Sequence, residues 1–350
     1  MKSMVCTQAN PKLISWSRKS SGVSVERAAK RVKLTQDAYL QIESGEEHLT
    51  LSQLRLLAVL YKRPVAVFFL PQPPQDTKRP KDFRGHKGQL STKTIVSIRR
   101  SRRVQQLAKE FMPDDVNTQL WERGSSVQQN AQRARKWLGL NEAMQTEAAS
   151  SKDFFNEVSD LLAQKETHVL LHSFPTQDAQ AYSFPEIPRI ITISTGDSSV
   201  EARLFSLFHE LYHISLGESG LCYTNTVQNN YQHERLCDEF ASLVLMPESL
   251  TRSLTEQAIS EGMNLEEQLT FLTKKIKASK YALLIRLQEL NYIDEQQVSQ
   301  QVAQWRKKKG RASFGRTNRI ATVLKENGKL FTGCQPPLLA NTLSRLSEAA

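Results

Sequence analysis

His209, Glu210 and His213 form the pattern His-Glu-x-x-His inside an apolar, helix-compatible run, with Leu204-Phe205-Ser206-Leu207-Phe208 before it and Leu211-Tyr212 within it. At about 3.6 residues per turn the two histidines stand one turn apart on one helical face. Imidazoles so spaced can converge on one tetrahedral cation such as Zn2+, and a carboxylate beside them can take a proton from an attacking water. A hydrolytic centre of this kind wants a third protein donor and an open position. Glu234 follows His213 by 21 residues, room for one helix to end, a loop to turn and a second helix to present a carboxylate. Asp238, one turn after Glu234, would point the same way and could orient a ligating histidine through its other ring nitrogen. His233 and Glu239 compete for the third place, but each is about 100° off that face. The reading is therefore metal donors His209, His213 and Glu234, with Glu210 as base and Asp238 behind the donors. His and carboxylate donors suit several divalent ions, so Mn2+ stands beside Zn2+.

The donors need two helices to carry them. One runs through 204–213. The other starts near His233, shows apolar residues at 236, 240, 243 and 244, and ends at Pro247. Thr167–His172 and Ile190–Ile193 are β-branched or apolar runs that read as strands, and Ser183–Pro188 between them as a loop. The strand ending at Ile193 is expected along the cleft, where an exposed edge holds an extended peptide by strand addition. His168 and His172, four apart on a strand, read as structural. Tyr212, Tyr223, Tyr231 and His233 are all open as donors to a developing oxyanion. Helices are expected over 248–261, 265–276 and 279–290.

Three stretches carry a family resemblance: Arg189-Ile190-Ile191-Thr192-Ile193, then Glu201 through His213, then Glu234-x-x-Cys-Asp-x-Phe-Ala-x-x-x-Leu-Met-Pro. Together they resemble the ImmA/IrrE metallopeptidases, with Cys237 where Ala is usual and Asp238 where Asn is usual. Ala278-Ser279-Lys280-Tyr281-Ala282 is similar to the start of the small helical unit that closes this family. The resemblance implies an α+β zincin-like domain holding one zinc ion. It also implies cleavage of a specific protein, a helix-turn-helix repressor, that derepresses stress-response or mobile-element genes. Two rival readings differ in class: a DNA-binding regulator that holds metal without cutting, and a toxin or effector half of a two-gene module.

Pro11 to Leu70 reads as five short helices. They are Pro11–Ser20, Val25–Val32 capped by Ser24, a third from Thr35 to about Glu43, Leu51–Tyr61 capped by Thr50, and a fifth from Pro64 through Phe69. Gly22 through Ala29, Leu34-Thr35, Ile42-Glu43-Ser44-Gly45 and Leu54 through Ala58 resemble the XRE/Cro-type helix-turn-helix. In that family the third helix enters the major groove. Here it would offer Thr35, Gln36, Asp37 and Tyr39, with Gln36 reading adenine and Lys33 or Arg31 holding phosphates. Asp37, Glu43, Glu46 and Glu47 argue the other way, toward docking a protein partner.

Charge is unevenly distributed. The chain carries +11 in all: +14 over residues 1–112, −11 over 113–303 and +8 over 304–350. Basic ends suit phosphate contact; the acidic middle suits a basic partner. The four cysteines form no C-x-x-C pair, and neither a membrane-length apolar run nor a signal-peptide core is present, so a cytoplasmic protein without a membrane partner is expected. The expected organisation is a helix-turn-helix domain over 1–70, a Pro-rich linker and basic connecting helix over 71–112, and a zincin-like domain over 113–247. A helical closing subdomain over 248–303 and a basic tail over 304–350, with a short helix at 318–326, complete it. The expected fold class is mainly α with a small β-sheet. The oligomeric state is open, and a homodimer is compatible with it.

Overall fold

The structure, a computed structural model, describes residues 9–74, 90–112, 118–196, 199–218, 221–222 and 231–308. It is mainly helical with one small sheet, the class expected. The chain divides into two compact units: Met1–Arg79 with His86–Val104, and Pro80–Gly85 with Gln105–Ala350.

In the first unit, α1 (Pro11–Ser20), α2 (Val25–Val32), α3 (Gln36–Ser44) and α4 (Leu51–Tyr61) begin where side chains satisfy free amide hydrogens. Ser24, Thr35 and Thr50 each accept from the backbone N–H three residues on. The fifth helix is 3-10, over Val65–Phe69, instead of α. This short β-branched and aromatic run buries Phe68 with Ile14, Leu54, Leu57 and Tyr61. Glu43 turns inward: its carboxylate lies 2.7 Å from Nε of Arg18, so it does not face a partner.

The basic connecting helix, α5 (Thr92–Glu110), is packed along its first half. Thr94, Ile95, Ser97, Ile98 and Ser101 are buried, and Arg99 donates to the carbonyls of Tyr61 (3.0 Å) and Lys62 (3.1 Å) at the end of α4. Gly22 admits this packing. Its φ is +63°, and a Cβ there would stand 2.5 Å from Cδ1 of Ile95.

The second unit opens with α6 (Val127–Leu138), α7 (Glu142–Glu147) and α8 (Ser151–Ala163) and then forms its sheet. Strands β1 (Thr167–His172), β2 (Ala181–Phe184), β3 (Arg189–Ser194) and β4 (Leu221–Cys222) lie in the order β1-β3-β2-β4. β3 is parallel to β1 and antiparallel to β2, which pairs on its other side with β4. Two expectations are corrected here. Ser183 and Phe184 belong to a strand, not a loop, and the strand over Ile190–Ile193 is interior with every residue buried, not an exposed edge. An unbroken β-branched run is what a strand covered on both faces requires.

The helices that carry the expected donors are α9 (Val200–Ser215) and α10 (Tyr231–Leu245). Ser199 caps α9, and every residue from Leu207 through Ile214 is buried. The buried face of α10 carries Cys237, Phe240, Ala241 and Val244, whereas Leu236, expected on it, is 38% exposed. Aromatic stacking sets the pair: Tyr212 lies 4.4 Å from Phe240, whose other neighbour is Trp121 at 5.7 Å. The last carbonyls of α10 are also held. Arg135 donates to Val244 O and Gln145 to Leu245 O, each at 2.7 Å.

Four helices follow: α11 (Glu248–Ser260), α12 (Leu265–Ile276), α13 (Lys280–Glu289) and α14 (Glu295–Lys308). Glu266 gathers Lys280, Gln301 and Trp305, the last at 2.7 Å. Trp305 is thus part of a packed helix, α14, which takes in the first residues of the basic tail expected over 304–350. The short helix expected at 318–326 lies outside the described residues. No helix among the described residues is long and apolar enough to cross a membrane.

Candidate metal centre

The 3.6-residue repeat of α9 places His209 and His213 with their Nε2 atoms 3.2 Å apart. Across from them, the Glu234 carboxylate on α10 lies 3.5 Å from Nε2 of each histidine, through Oε2 to His209 and Oε1 to His213. A tetrahedral ion with bonds of about 2.0–2.1 Å spaces its donors by about 3.4 Å. The three groups form a triangle with sides of 3.2, 3.5 and 3.5 Å, the two carboxylate sides running to different oxygens, and its size is close to that spacing. All three side chains are buried.

Asp238 fixes the tautomer of His209. Its Oδ1 is 2.8 Å from Nδ1, and a carboxylate can only accept there. Nδ1 therefore carries the hydrogen, and the lone pair of Nε2 faces the triangle. Glu218 lies 3.7 Å from Nδ1 of His213 and 3.3 Å from Nδ1 of His233. The facing His213 ring holds the Glu218 carboxyl below its ordinary range, against the upward push of burial.

Glu210 is fully buried. The Ser183 hydroxyl on β2 donates to its Oε2 at 2.7 Å, while Oε1 is buried with no hydrogen-bond partner among the described residues. Ser183 was missed in the sequence. A serine hydroxyl has no spacing signature, and its partner is 27 residues away on another element.

Two residues of α10 compete for the third donor position. Besides Glu234, Cys237 is buried with its thiol reduced, and its Sγ and the His209 and His213 nitrogens all lie within 4.8 Å of one another. The carboxylate distances are the better match to bonding geometry, so Glu234 takes precedence. Three buried carboxylates, of which Glu234 alone faces both imidazoles as a donor, make surroundings rich in acidic groups. A divalent cation at the triangle balances them, and the lone Oε1 of Glu210 fits a water beside that ion.

The remaining expected residues fall into place unevenly. Tyr212 packs into the helix interface, its phenol pushed up by burial, and is withdrawn as an oxyanion donor. His233 is exposed beside Glu218, and Glu239 accepts from Gln128 at 2.9 Å. Tyr223 and the side chain of Tyr231 lie outside the described residues. His168 lies 3.5 Å from Glu166. In the first unit Lys33, Thr35, Gln36 and Asp37 are exposed at the start of α3. Tyr39 is not: it is fully buried, its hydroxyl 2.5 Å from that of Tyr61, so it cannot read a base. It shares the inward face with Ile42 and Glu43.

Residues 163–288 match a peptidase family model described as the IrrE N-terminal-like domain. The matched stretch contains every residue of the centre and supports a metallopeptidase of the ImmA/IrrE type; it does not include the first unit. No curated protein and no solved structure matches the chain.

Proposed function

We propose that the chain is a metal-dependent endopeptidase acting on a specific protein, with His209, His213 and Glu234 holding one zinc ion. The observation that carries this reading is the donor triangle with the lone Glu210 oxygen, lying inside the matched peptidase stretch. Zn2+ there, or Mn2+ in its place, supplies a Lewis acid for a carbonyl oxygen and lowers the pKa of water. Glu210 Oε1 accepts the proton of the attacking water and delivers it to the leaving amine nitrogen. Ser183 occupies Oε2 and so keeps Oε1 as the working atom. Asp238 holds the hydrogen of His209 on Nδ1.

The acidic balance of residues 113–303 favours a basic partner, and a DNA-binding repressor of the helix-turn-helix type has that chemistry. Its cleavage would derepress stress-response or mobile-element genes, in a cytoplasmic setting. Residues 1–70 serve as the targeting module, contacting DNA through Lys33, Thr35 and Gln36. The exposure of these three residues supports that role. The Thr35 Oγ1 also accepts from Ala38 N, which leaves its hydroxyl hydrogen for a phosphate.

Metal content and cleavage of a co-expressed neighbouring helix-turn-helix repressor, wild type against Glu210→Gln, test the proposal. Near-stoichiometric zinc in both chains with cleavage in the wild type alone is expected. Metal in both and cleavage in neither would move the protein to the class of regulators that hold metal without cutting. Absence of metal from both would remove the centre.

A further inference from the structure

Cys237 sits at the same centre and has no part in the proposed function. It is fully buried on α10, three residues after Glu234 and next to Asp238, a spacing that brings all three to neighbouring positions on one side of the helix. Its Sγ and the donor nitrogens of His209 and His213 fall within 4.8 Å of one another. A tetrahedral ion bonded at about 2.05 Å to nitrogen and about 2.3 Å to sulfur separates those donors by about 3.6 Å. The thiol is then at most about 1.2 Å outside coordination range of an ion held by the two histidine nitrogens.

A buried cysteine alone is usually a small hydrophobe. Two independent features mark this one differently. The Asp238 bond turns the Nε2 lone pair of His209 toward the shared point, and the fully buried Glu210 Oε1 has no partner among the described residues. Both are arrangements that an ion and its donors complete.

We propose that Cys237 is a fourth protein donor to the ion, giving the centre a His209–His213–Glu234–Cys237 set. This rests on the three-donor reading above. As the sulfur–metal bond forms, the S–H bond breaks and the proton leaves to solvent; no redox change is involved. Four protein donors fill a tetrahedral ion and leave no position for water, which is the arrangement of a structural site. With Cys237 withdrawn, the three remaining donors leave the open position that hydrolysis needs.

Cobalt substitution of the full-length chain tests this. Co2+ takes the same tetrahedral geometry as zinc and reports sulfur ligation by a near-ultraviolet charge-transfer band. Wild type, Cys237→Ala, Cys237→Ser and His209→Ala are loaded with Co2+, and thermal melts of each variant confirm folding. The wild type is expected to bind one Co2+ per chain with the sulfur band. Both cysteine variants should bind one Co2+ without it and lose the ion faster to a chelator. One Co2+ bound by the wild type with no sulfur band, and lost in His209→Ala, overturns the fourth donor and leaves the three-donor centre standing. Cobalt bound equally by wild type and His209→Ala overturns the centre itself.

Discussion

Asp238 and Ser183 hold two side chains, His209 and Glu210, on which the proposed chemistry depends. Asp238 bonds Nδ1 of His209 at 2.8 Å, and Ser183 bonds Oε2 of Glu210 at 2.7 Å. Partners that orient metal-binding histidines are typically worth about 10–100-fold in metal affinity. Asp238→Ala should therefore weaken Zn2+ binding by that order, read by competition with a chromophoric chelator. Unchanged affinity would reduce Asp238 to a packing residue. Ser183→Ala removes the one hydrogen bond seen at Glu210, at a cost on the order of 1–3 kcal/mol for a buried group left unpaired. Urea unfolding should show that loss while metal content stays at the wild-type level. Loss of metal in this variant would mean that Ser183 supports the donors themselves.

At the scale of elements, the helices of the first unit depend on a few points of close approach. Gly22 combines φ +63° with a position 2.5 Å from Ile95 Cδ1 for any added Cβ. Gly22→Ala should destabilise this unit by roughly 1–3 kcal/mol through backbone strain and displacement of α5. An unshifted melting curve would contradict the packing of α5 on that turn. The Arg18–Glu43 pair gives a pH dependence. Burial pushes the Glu43 carboxyl up, but the bonded Arg18 guanidinium pulls it further down, leaving it below its ordinary value. A carboxyl depressed in the folded state stabilises above its unfolded pKa, about 4.3, and that stabilisation disappears as pH falls through the folded value. Acid titration of the wild type should show this loss in the first unit, and Glu43→Gln should flatten that limb of the curve. A limb equally steep in the variant would assign the acid sensitivity to other carboxyls.

The whole molecule divides into two units that differ in charge and have separate cores. The first unit has its own buried cluster and draws on α5 as far as Val104. Every residue of the candidate centre belongs to the second. A fragment of residues 1–104 is therefore expected to melt cooperatively and at higher temperature than 1–70, which lacks Ile95, Ile98 and Arg99. Equal melting of the two fragments would show that α5 adds nothing to that fold. Residues 105–350 should keep the zinc affinity of the full chain, and a large drop would give the amino-terminal unit a part in the centre.

Much of this was legible in the linear order of residues because the interactions concerned are local. Ser24, Thr35 and Thr50 cap helices within three residues, and Gly139 ends α6 at φ +71°. His209 and His213 share a face by helical repeat alone. Glu234 and Asp238 follow by the same repeat once a second helix is granted. What needed the tertiary structure involves partners distant in sequence. A nine-residue α3 does not reveal which side meets α4, so Tyr39 looked like a base reader until Tyr61, 22 residues on, was seen to bond its hydroxyl. The run over 190–193 could be edge or interior, and only pairing with both β1 and β2 decides it. Ser183 against Glu210 and Cys237 near the histidines likewise have no pattern in the sequence. The periodicity of one helix sets which residues travel together; which groups they meet is decided by how helices and strands pack.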